Sequence, residues 1–403
     1  MILSFGLVLI CGYLAGKIAN LLKLPKVTGY ITAGIILEPA YSGILPEKLI
    51  DHAGGISNIA LCIITYAIGG SLNFRKIKEL GNTIWVMTLF ESVVTFLAIT
   101  AGLYVLMPVL NKYTGLDLQP AYFLPLAVLA GSLGAPTDPT PTLAVKEEYK
   151  AEGPVTTTIL GIGAFDDAMG IIIFSVATAL GAVLLGGAGG GIQATVIDPL
   201  GDIVFSIALG GALGAILLFA ARKVEDRGVI IVMILGALFT CFGIGQACAL
   251  DELLCTMTLG CVVVNFARDE EKFFMSIRDD LEELVFVIFF VLAGAQLQVN
   301  VLLSSLWVVL VFVVFRMAGK FLGSTTGAYV SGANANVKKY AAFGLVPQGG
   351  IVVGLALLVK QNPVFQNIAP LLINMIIGTT VLFEFIGPLL TEFALHRTGE
   401  THR

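Results

Sequence analysis

The chain has 403 residues and a formal net charge of -5, and 57% of its residues are hydrophobic while only 13% are charged. Soluble globular proteins carry about 25% charged residues. The composition therefore excludes an ordinary soluble domain and predicts a polytopic helical membrane protein. The three histidines and six cysteines show no spacing typical of a metal or haem site, so we predict no cofactor and no enzyme built on one.

Thirteen apolar segments follow one another along the chain, and we predict that each spans the membrane as a helix. Their approximate limits are 2–22, 27–45, 54–71, 83–108, 121–143, 154–186, 199–221, 228–246, 248–266, 282–299, 302–328, 339–360 and 366–394. Most lysines and arginines fall in loops on one side, and only Lys48, Lys112 and Lys360 fall on the other. The positive-inside rule then predicts an N-terminus outside the cell and a cytoplasmic C-terminus.

Two of the predicted spans contain helix-breaking sequences. The fifth span reads GAPTDPTPT, with Pro136, Pro139 and Pro141, and the twelfth reads VPQGGIVVG, with Pro347 and Gly349. Proline removes a helix hydrogen bond and clashes with the preceding turn. Thirteen spans also divide into two six-helix units of opposite orientation around one linking helix. We therefore predict an all-α inverted repeat with crossed broken helices, which in transporters form the binding site.

Two adjacent aspartates, Asp166 and Asp167, lie inside the sixth apolar segment. A charged carboxylate near the bilayer centre costs at least about 2.5–3.5 kcal/mol, and two neighbouring charges disfavour each other further. Packing alone gives no reason to accept this cost, so the pair predicts an ion or proton site. The alternative is a structural pair that lines a water-filled vestibule.

The break in the fifth span supplies further oxygen ligands. Thr137 and Asp138 lie between its prolines, where unwound backbone leaves carbonyl oxygens without helix partners. A hard monovalent cation prefers carboxylate, hydroxyl and carbonyl oxygens. A carboxylate oxygen also binds a proton, and competition between cation and proton at one oxygen is a mechanism for exchange. The alternative for Asp138 is an N-cap of a half-helix.

Two basic residues, Arg316 and Lys320, lie one helical turn apart inside the eleventh segment. A buried lysine near the aspartates would neutralise one of them and would be able to carry a second proton. The alternative is that Lys320 extends to the cytoplasmic surface. We expect Arg316 to be structural and to anchor the ends of a broken helix.

Three other polar residues lie at membrane depth. For Glu91 on the fourth span and Glu384 on the thirteenth, the favoured interpretation is a structural ion pair or a polar contact between helices, and the alternative is that they line the ion path. Gln348, beside the glycines of the twelfth span, is expected to hydrogen-bond unwound backbone.

Several segments in order resemble the monovalent cation:proton antiporter superfamily over nearly the whole chain. They are GYLAGKIANLLKLPKVTGYITAGIILEP, YAIGGSLNFRKIKELG, EELVFVIFFVLAGAQLQV and EFIGPLLTEFALHRTGE. Glu38 stands where this family usually has glycine. The paired aspartates of GIGAFDD (161–167) and the GKFLG around Lys320 resemble the electrogenic branch, which includes bacterial sodium:proton antiporters. APTDPTPT is more similar to the electroneutral branch, and Arg316 is a candidate counterpart of that branch's arginine.

The resemblance implies a role for each matching residue. Asp167 would be the principal cation and proton ligand, and Asp166 would pair with Lys320. Thr137 and Asp138 would contribute ligands at the crossing. It also implies a homodimer with an elevator-like movement of a core domain. Residues 1–80 and 224–300 would form the dimerisation domain, 81–190 and 301–403 the core transport domain, and 191–223 the linker helix.

The function predicted from these patterns is exchange of sodium (or lithium) for protons across the inner or plasma membrane, electrogenic in stoichiometry. The predicted partners are the lipid bilayer, monovalent cations, protons and a second copy of the chain, not nucleic acid. One alternative is potassium:proton exchange or cation-coupled uptake of an organic anion on the same scaffold. Another is an intramembrane aspartyl protease, which is disfavoured because Asp166 and Asp167 project about 100° apart on one helix.

Overall fold

The computed structural model describes residues 2–22, 26–38, 44–46, 53–75, 81–187, 198–267, 273–274, 281–297 and 305–401. All regular structure in these ranges is helical, which confirms the predicted all-α class. The α-helices of the described ranges are α1 (Ile2–Leu21), α2 (Lys26–Leu37), α3 (Ala53–Ser71), α4 (Asn82–Thr114), α5 (Phe123–Gly134), α6 (Thr140–Tyr149), α7 (Pro154–Ala182), α8 (Asp198–Ala220), α9 (Arg227–Ala247), α10 (Glu252–Phe266), α11 (Glu282–Gly294), α12 (Leu306–Val330), α13 (Ala335–Gly344), α14 (Gly350–Gln361) and α15 (Ala369–Thr398).

Every predicted span contains helix, and the fifth and twelfth contain two helices each. In the described residues, seven helices are long and apolar enough to cross a membrane, namely α1, α4, α7, α8, α9, α12 and α15. The remaining apolar helices are shorter. A multi-pass helical membrane protein is therefore supported, while the count of thirteen crossings stays a prediction.

Helix contacts group the chain into two compact units. The first comprises Met1–Asp51, Leu80–Gly187 and Phe290–Arg403, and the second comprises His52–Glu79 and Ala188–Phe289. All the candidate site residues lie in the first unit. These units are defined by contacts within one chain, which do not show which helices move or which contact a second copy. The predicted division into transport and dimerisation domains therefore stays a prediction.

Helices α4 and α12 approach each other very closely because α12 carries a glycine at every fourth residue. Gly319 faces Thr95, Gly323 faces Glu91 and Gly327 faces Met87. A β-carbon at Gly323 would lie only 2.7 Å from the Cα of Glu91. Small residues permit this approach in membrane helices, where van der Waals contact drives association. The glycines thereby place Glu91 of α4 next to the basic residues of α12.

The two helix breaks pack against glycines in a matching way. Pro136, in the break between α5 and α6, lies against Gly170 of α7. Pro347, in the break between α13 and α14, lies against Gly387 of α15. A side chain at either glycine would collide with the proline ring. Each broken pair of helices therefore packs its proline on the helix that follows it.

We expect Gly323→Ala to lower the melting temperature of the purified protein in detergent. The added methyl group would force α12 away from α4, and overpacking of this kind costs about 1–3 kcal/mol. Gly236→Ala is the matched control, because Gly236 lies in α9 with open space around it, and alanine favours a helix by about 0.5–1 kcal/mol over glycine. Equal melting temperatures of the two variants would contradict the close approach.

Candidate functional site

The guanidinium of Arg316 joins the ends of two broken helices. Its Nε donates to the carbonyl of Gly134 at 3.0 Å, and its Nη1 donates to Val346 at 2.6 Å. Its Nη2 donates to Pro136 at 3.1 Å and to Pro347 at 3.2 Å. These carbonyls lie at or just after the C-terminal ends of α5 and α13, where helices carry partial negative charge. One cation thus satisfies carbonyls of both breaks.

Other contacts fix the same crossing. The guanidinium carbon of Arg316 lies 4.4 Å from the ring centroid of Phe383, which is also buried. The backbone amide of Asp138 donates to the carbonyl of Pro347 at 3.2 Å, so the two unwound segments also bond directly. The anchoring contact predicted for Arg316 is therefore present, and it serves both broken helices.

Lys320 lies one turn along α12 and is fully buried. Its Nζ forms an ion pair with Oε1 of Glu91 and donates to the carbonyl of Ala135. It also contacts Oγ1 of Thr137 at 2.6 Å and Oδ2 of Asp166 at 3.2 Å. The alternative that Lys320 extends to the cytoplasmic surface is wrong, because its ammonium is enclosed by these interior partners.

Asp166 is held by donors on both carboxylate oxygens. Ser92 Oγ donates to Oδ1 at 2.6 Å, and Thr137 Oγ1 donates to Oδ2 at 2.5 Å. Lys320 shares Oδ2. The sequence pattern did not single out Ser92, because a lone hydroxyl is common in an apolar helix. The one feature that could have indicated its role is its position directly after Glu91.

Asp167 has a different environment from its neighbour. Its side chain is partly exposed, and its buried Oδ1 has no hydrogen-bond partner among the described residues. Consecutive helical residues project about 100° apart, so Asp167 does not share the donors of Asp166. Its charge interacts with those of Asp138, Asp166 and Lys320. One aspartate is therefore held in place while the other keeps a free ligand oxygen.

Asp138, Glu384 and Gln348 complete the polar surroundings of the crossing. Asp138 and Glu384 are both buried and interact with each other, so two carboxyl groups lie next to each other at the crossing. Gln348 is fully buried, and neither its Oε1 nor its Nε2 has a hydrogen-bond partner in the described part of the chain. The expected bond from Gln348 to unwound backbone is therefore not made. The N-cap of α6 is Pro139, one residue after Asp138.

The start of α7, the helix that carries both aspartates, is held by the end of the chain. Gly399 adopts a positive φ of 70°, which turns the chain after α15. The carboxylate of Glu400 then accepts bonds from the amides of Val155 and Thr156, both at 2.8 Å, and from Thr156 Oγ1 at 2.7 Å. Gly153, the N-cap residue, offers no side-chain cap. No local sequence pattern indicates this role for Glu400.

We expect Arg316→Lys to lower the melting temperature in detergent markedly. An ammonium lacks the planar fork of guanidinium and cannot reach carbonyls of both breaks, and each buried group left unpaired costs about 1–3 kcal/mol. Arg222→Lys is the control, because Arg222 is exposed in the short 3-10 turn that follows α8. A melting temperature of Arg316→Lys equal to that of the control would contradict the anchoring role.

Comparisons with known proteins agree with this architecture. The chain is 23% identical to the probable Na(+)/H(+) antiporter GerT of Bacillus cereus, covering 91% of this chain and 92% of that one. It is 23% identical to the Na(+)/H(+)-K(+) antiporter GerN of the same organism, covering 88% and 86%. The solved sodium proton antiporter MjNhaP1 from Methanocaldococcus jannaschii has a similar fold, with a TM-score of 0.73 at 21% identity over 98% of both chains. The model of the transmembrane sodium/hydrogen exchanger family matches residues 6–396, so the chain belongs to that family.

Proposed function

We propose that this protein is a secondary transporter that exchanges sodium (or lithium) for protons across the plasma membrane. The observation that carries the proposal is the contrast between the two aspartates at the crossing. Both carboxylate oxygens of Asp166 accept hydrogen bonds, while Asp167 has a buried oxygen that finds no partner among the residues that the structure describes. Family membership makes exchange the natural use of such a site.

The proposed chemistry is competition for the oxygens of Asp167. A sodium ion needs several oxygen ligands, and the hydroxyl of Thr137, the carboxyl groups of Asp138 and Asp166 and the amide of Gln348 are candidates at the crossing. A proton needs only one oxygen of the carboxylate. Because the two cannot occupy the same oxygen together, release of one accompanies binding of the other.

We also propose that the fold has thirteen spans arranged as an inverted repeat. The supporting observation is that both halves contain a broken pair of helices followed by a helix whose glycine packs on the break proline. Opposite orientation of the halves places the site near the bilayer midplane. The N-terminus would lie outside and the C-terminus in the cytoplasm.

We propose a homodimer in which the core transport domain moves like an elevator against a fixed dimerisation domain. The core would comprise residues 81–190 and 301–403. The close packing of α4 on α12 supports this, because it joins the two stretches of the proposed core.

Potassium is the second candidate cation. The similarity to GerN, whose name includes both sodium and potassium, is the reason to test potassium as a transported cation. The same oxygen ligands suit both ions, and their number and spacing decide between them. The protease alternative is abandoned, because the chain belongs to a transporter family.

We expect Asp167→Asn to abolish exchange. An amide keeps the shape of the side chain but neither binds protons near neutral pH nor carries the charge that a cation requires. The measurement uses liposomes with a pH-sensitive dye and additions of sodium, lithium or potassium. The control is Asp117→Asn, because Asp117 is exposed and has a positive φ of 47°, which asparagine also tolerates. Cation-dependent proton release by Asp167→Asn at the control rate would overturn the proposed site.

We propose that the exchange is electrogenic, with Lys320 as carrier of a second proton. Each net charge moved would gain about 2.3 kcal/mol per 100 mV of membrane potential. Lys320→Ala should then retain some exchange in liposomes but lose its dependence on voltage, measured with the potential clamped and unclamped. A voltage dependence equal to that of the wild type would exclude the lysine as carrier.

A further inference from the structure

Glu91 is a fully buried carboxyl group that the proposed exchange does not use. It lies in the first third of α4, and its side chain reaches Lys320 rather than Asp167. Its Oε2 lies 3.5 Å from the hydroxyl oxygen of Ser92, whose nearer acceptor is Oδ1 of Asp166 at 2.6 Å. Glu91 therefore belongs to the network around Lys320 and Asp166.

The network holds two carboxylates but only one ammonium. Lys320 Nζ forms ion pairs with Oε1 of Glu91 and, at 3.2 Å, with Oδ2 of Asp166. Arg316 is the other buried cation near Glu91 and Asp166, but its donors are directed at carbonyls of the two breaks. In the described part of the chain, Lys320 is therefore the cation that contacts these two carboxylates directly, and Glu91 and Asp166 share its ammonium.

We propose that Glu91 is the resident counter-ion of Lys320, which keeps the charge of Asp166 available to the transported cation. With Glu91 in place, a cation near Asp166 does not have to remove the only partner of a buried ammonium. Without it, Asp166 becomes the sole counter-ion of Lys320, and cation binding must break that pair. Separating a buried ion pair is unfavourable because it leaves a charge uncompensated.

The packing of α4 on α12 keeps Glu91 in this role. Gly323 lies three residues after Lys320, and its missing side chain leaves room for the backbone of Glu91. The ion pair thus joins two helices in close contact. Asp166 reaches Lys320 from a third helix, α7. A displacement of α7 can therefore lengthen the contact of Lys320 with Asp166 while the contact with Glu91 persists.

A merely structural ion pair makes a different prediction. Loss of Glu91 would then change the stability of the protein but not its affinity for the cation. The counter-ion role instead couples Glu91 to cation affinity through Lys320 alone. A double-mutant cycle between these two residues distinguishes the roles.

The experiment measures sodium binding by the rise in melting temperature that sodium causes in detergent, because a bound ligand stabilises the folded state. Choline chloride keeps the ionic strength constant. The proteins are wild type, Glu91→Gln, Glu91→Asp, Lys320→Met and the double variant. This readout needs no transport activity, and melting without sodium reports whether each variant folds.

We expect Glu91→Gln to raise the half-saturating sodium concentration about tenfold, and Glu91→Asp to restore most of the affinity. In the Lys320→Met background, Glu91→Gln should change that concentration by less than about twofold, since no ammonium competes for Asp166. An unchanged sodium affinity in Glu91→Gln, or a tenfold effect that persists without Lys320, would overturn the proposal.

The inference rests on the proposed function, and the two fail in different ways. A wild type that responds to none of sodium, lithium and potassium would overturn the proposed exchange and the role of Glu91 with it. A clear sodium response of the wild type that Glu91→Gln leaves unchanged would overturn only the role of Glu91.

Discussion

The fold of the site depends on the requirement that backbone groups inside a membrane find partners within the protein. Two helices end inside the core, at Gly134 and Gly344, and each end leaves carbonyls without a helix donor. Arg316 satisfies carbonyls of both ends at once, which a planar fork of donors can do and a single ammonium cannot. Because the crossing is held in this way, the segment 135–139 can present its polar groups to Asp166 and Lys320.

The two basic residues of α12, Arg316 and Lys320, contact different groups. Arg316 balances partial charges on the backbone, which do not change when ions bind. Lys320 forms ion pairs with Glu91 and Asp166 and also donates to the carbonyl of Ala135, and Asp166 lies at the proposed cation site. The residues are four apart, so they lie on the same face of the helix one turn apart. The two cations are therefore neighbours on one helix but have separate partners.

The sequence predicted which residues form this site better than it predicted the contacts between them. The broken spans, the aspartate pair and Thr137 stand out because proline and carboxylate are costly in apolar helices. The pairing of Glu91 with Lys320 could not be predicted, because it depends on the depth at which Gly323 lets α12 approach α4. A hydrophobic pattern identifies helices but not the register between them. For the same reason, the contact of Glu400 with α7 joins residues far apart in sequence and left no local pattern.

The unequal environments of Asp166 and Asp167 are a consequence of helix geometry combined with this register. Adjacent residues project about 100° apart, so only Asp166 can face the donors on α4, α12 and the first break. Those donors fix its position and share its charge. Asp167 receives none of them, and its nearest charged neighbours include another carboxylate, Asp138. In the proposed exchange, Asp166 would hold the geometry through its bonds, while Asp167 would change its occupant without breaking any of them.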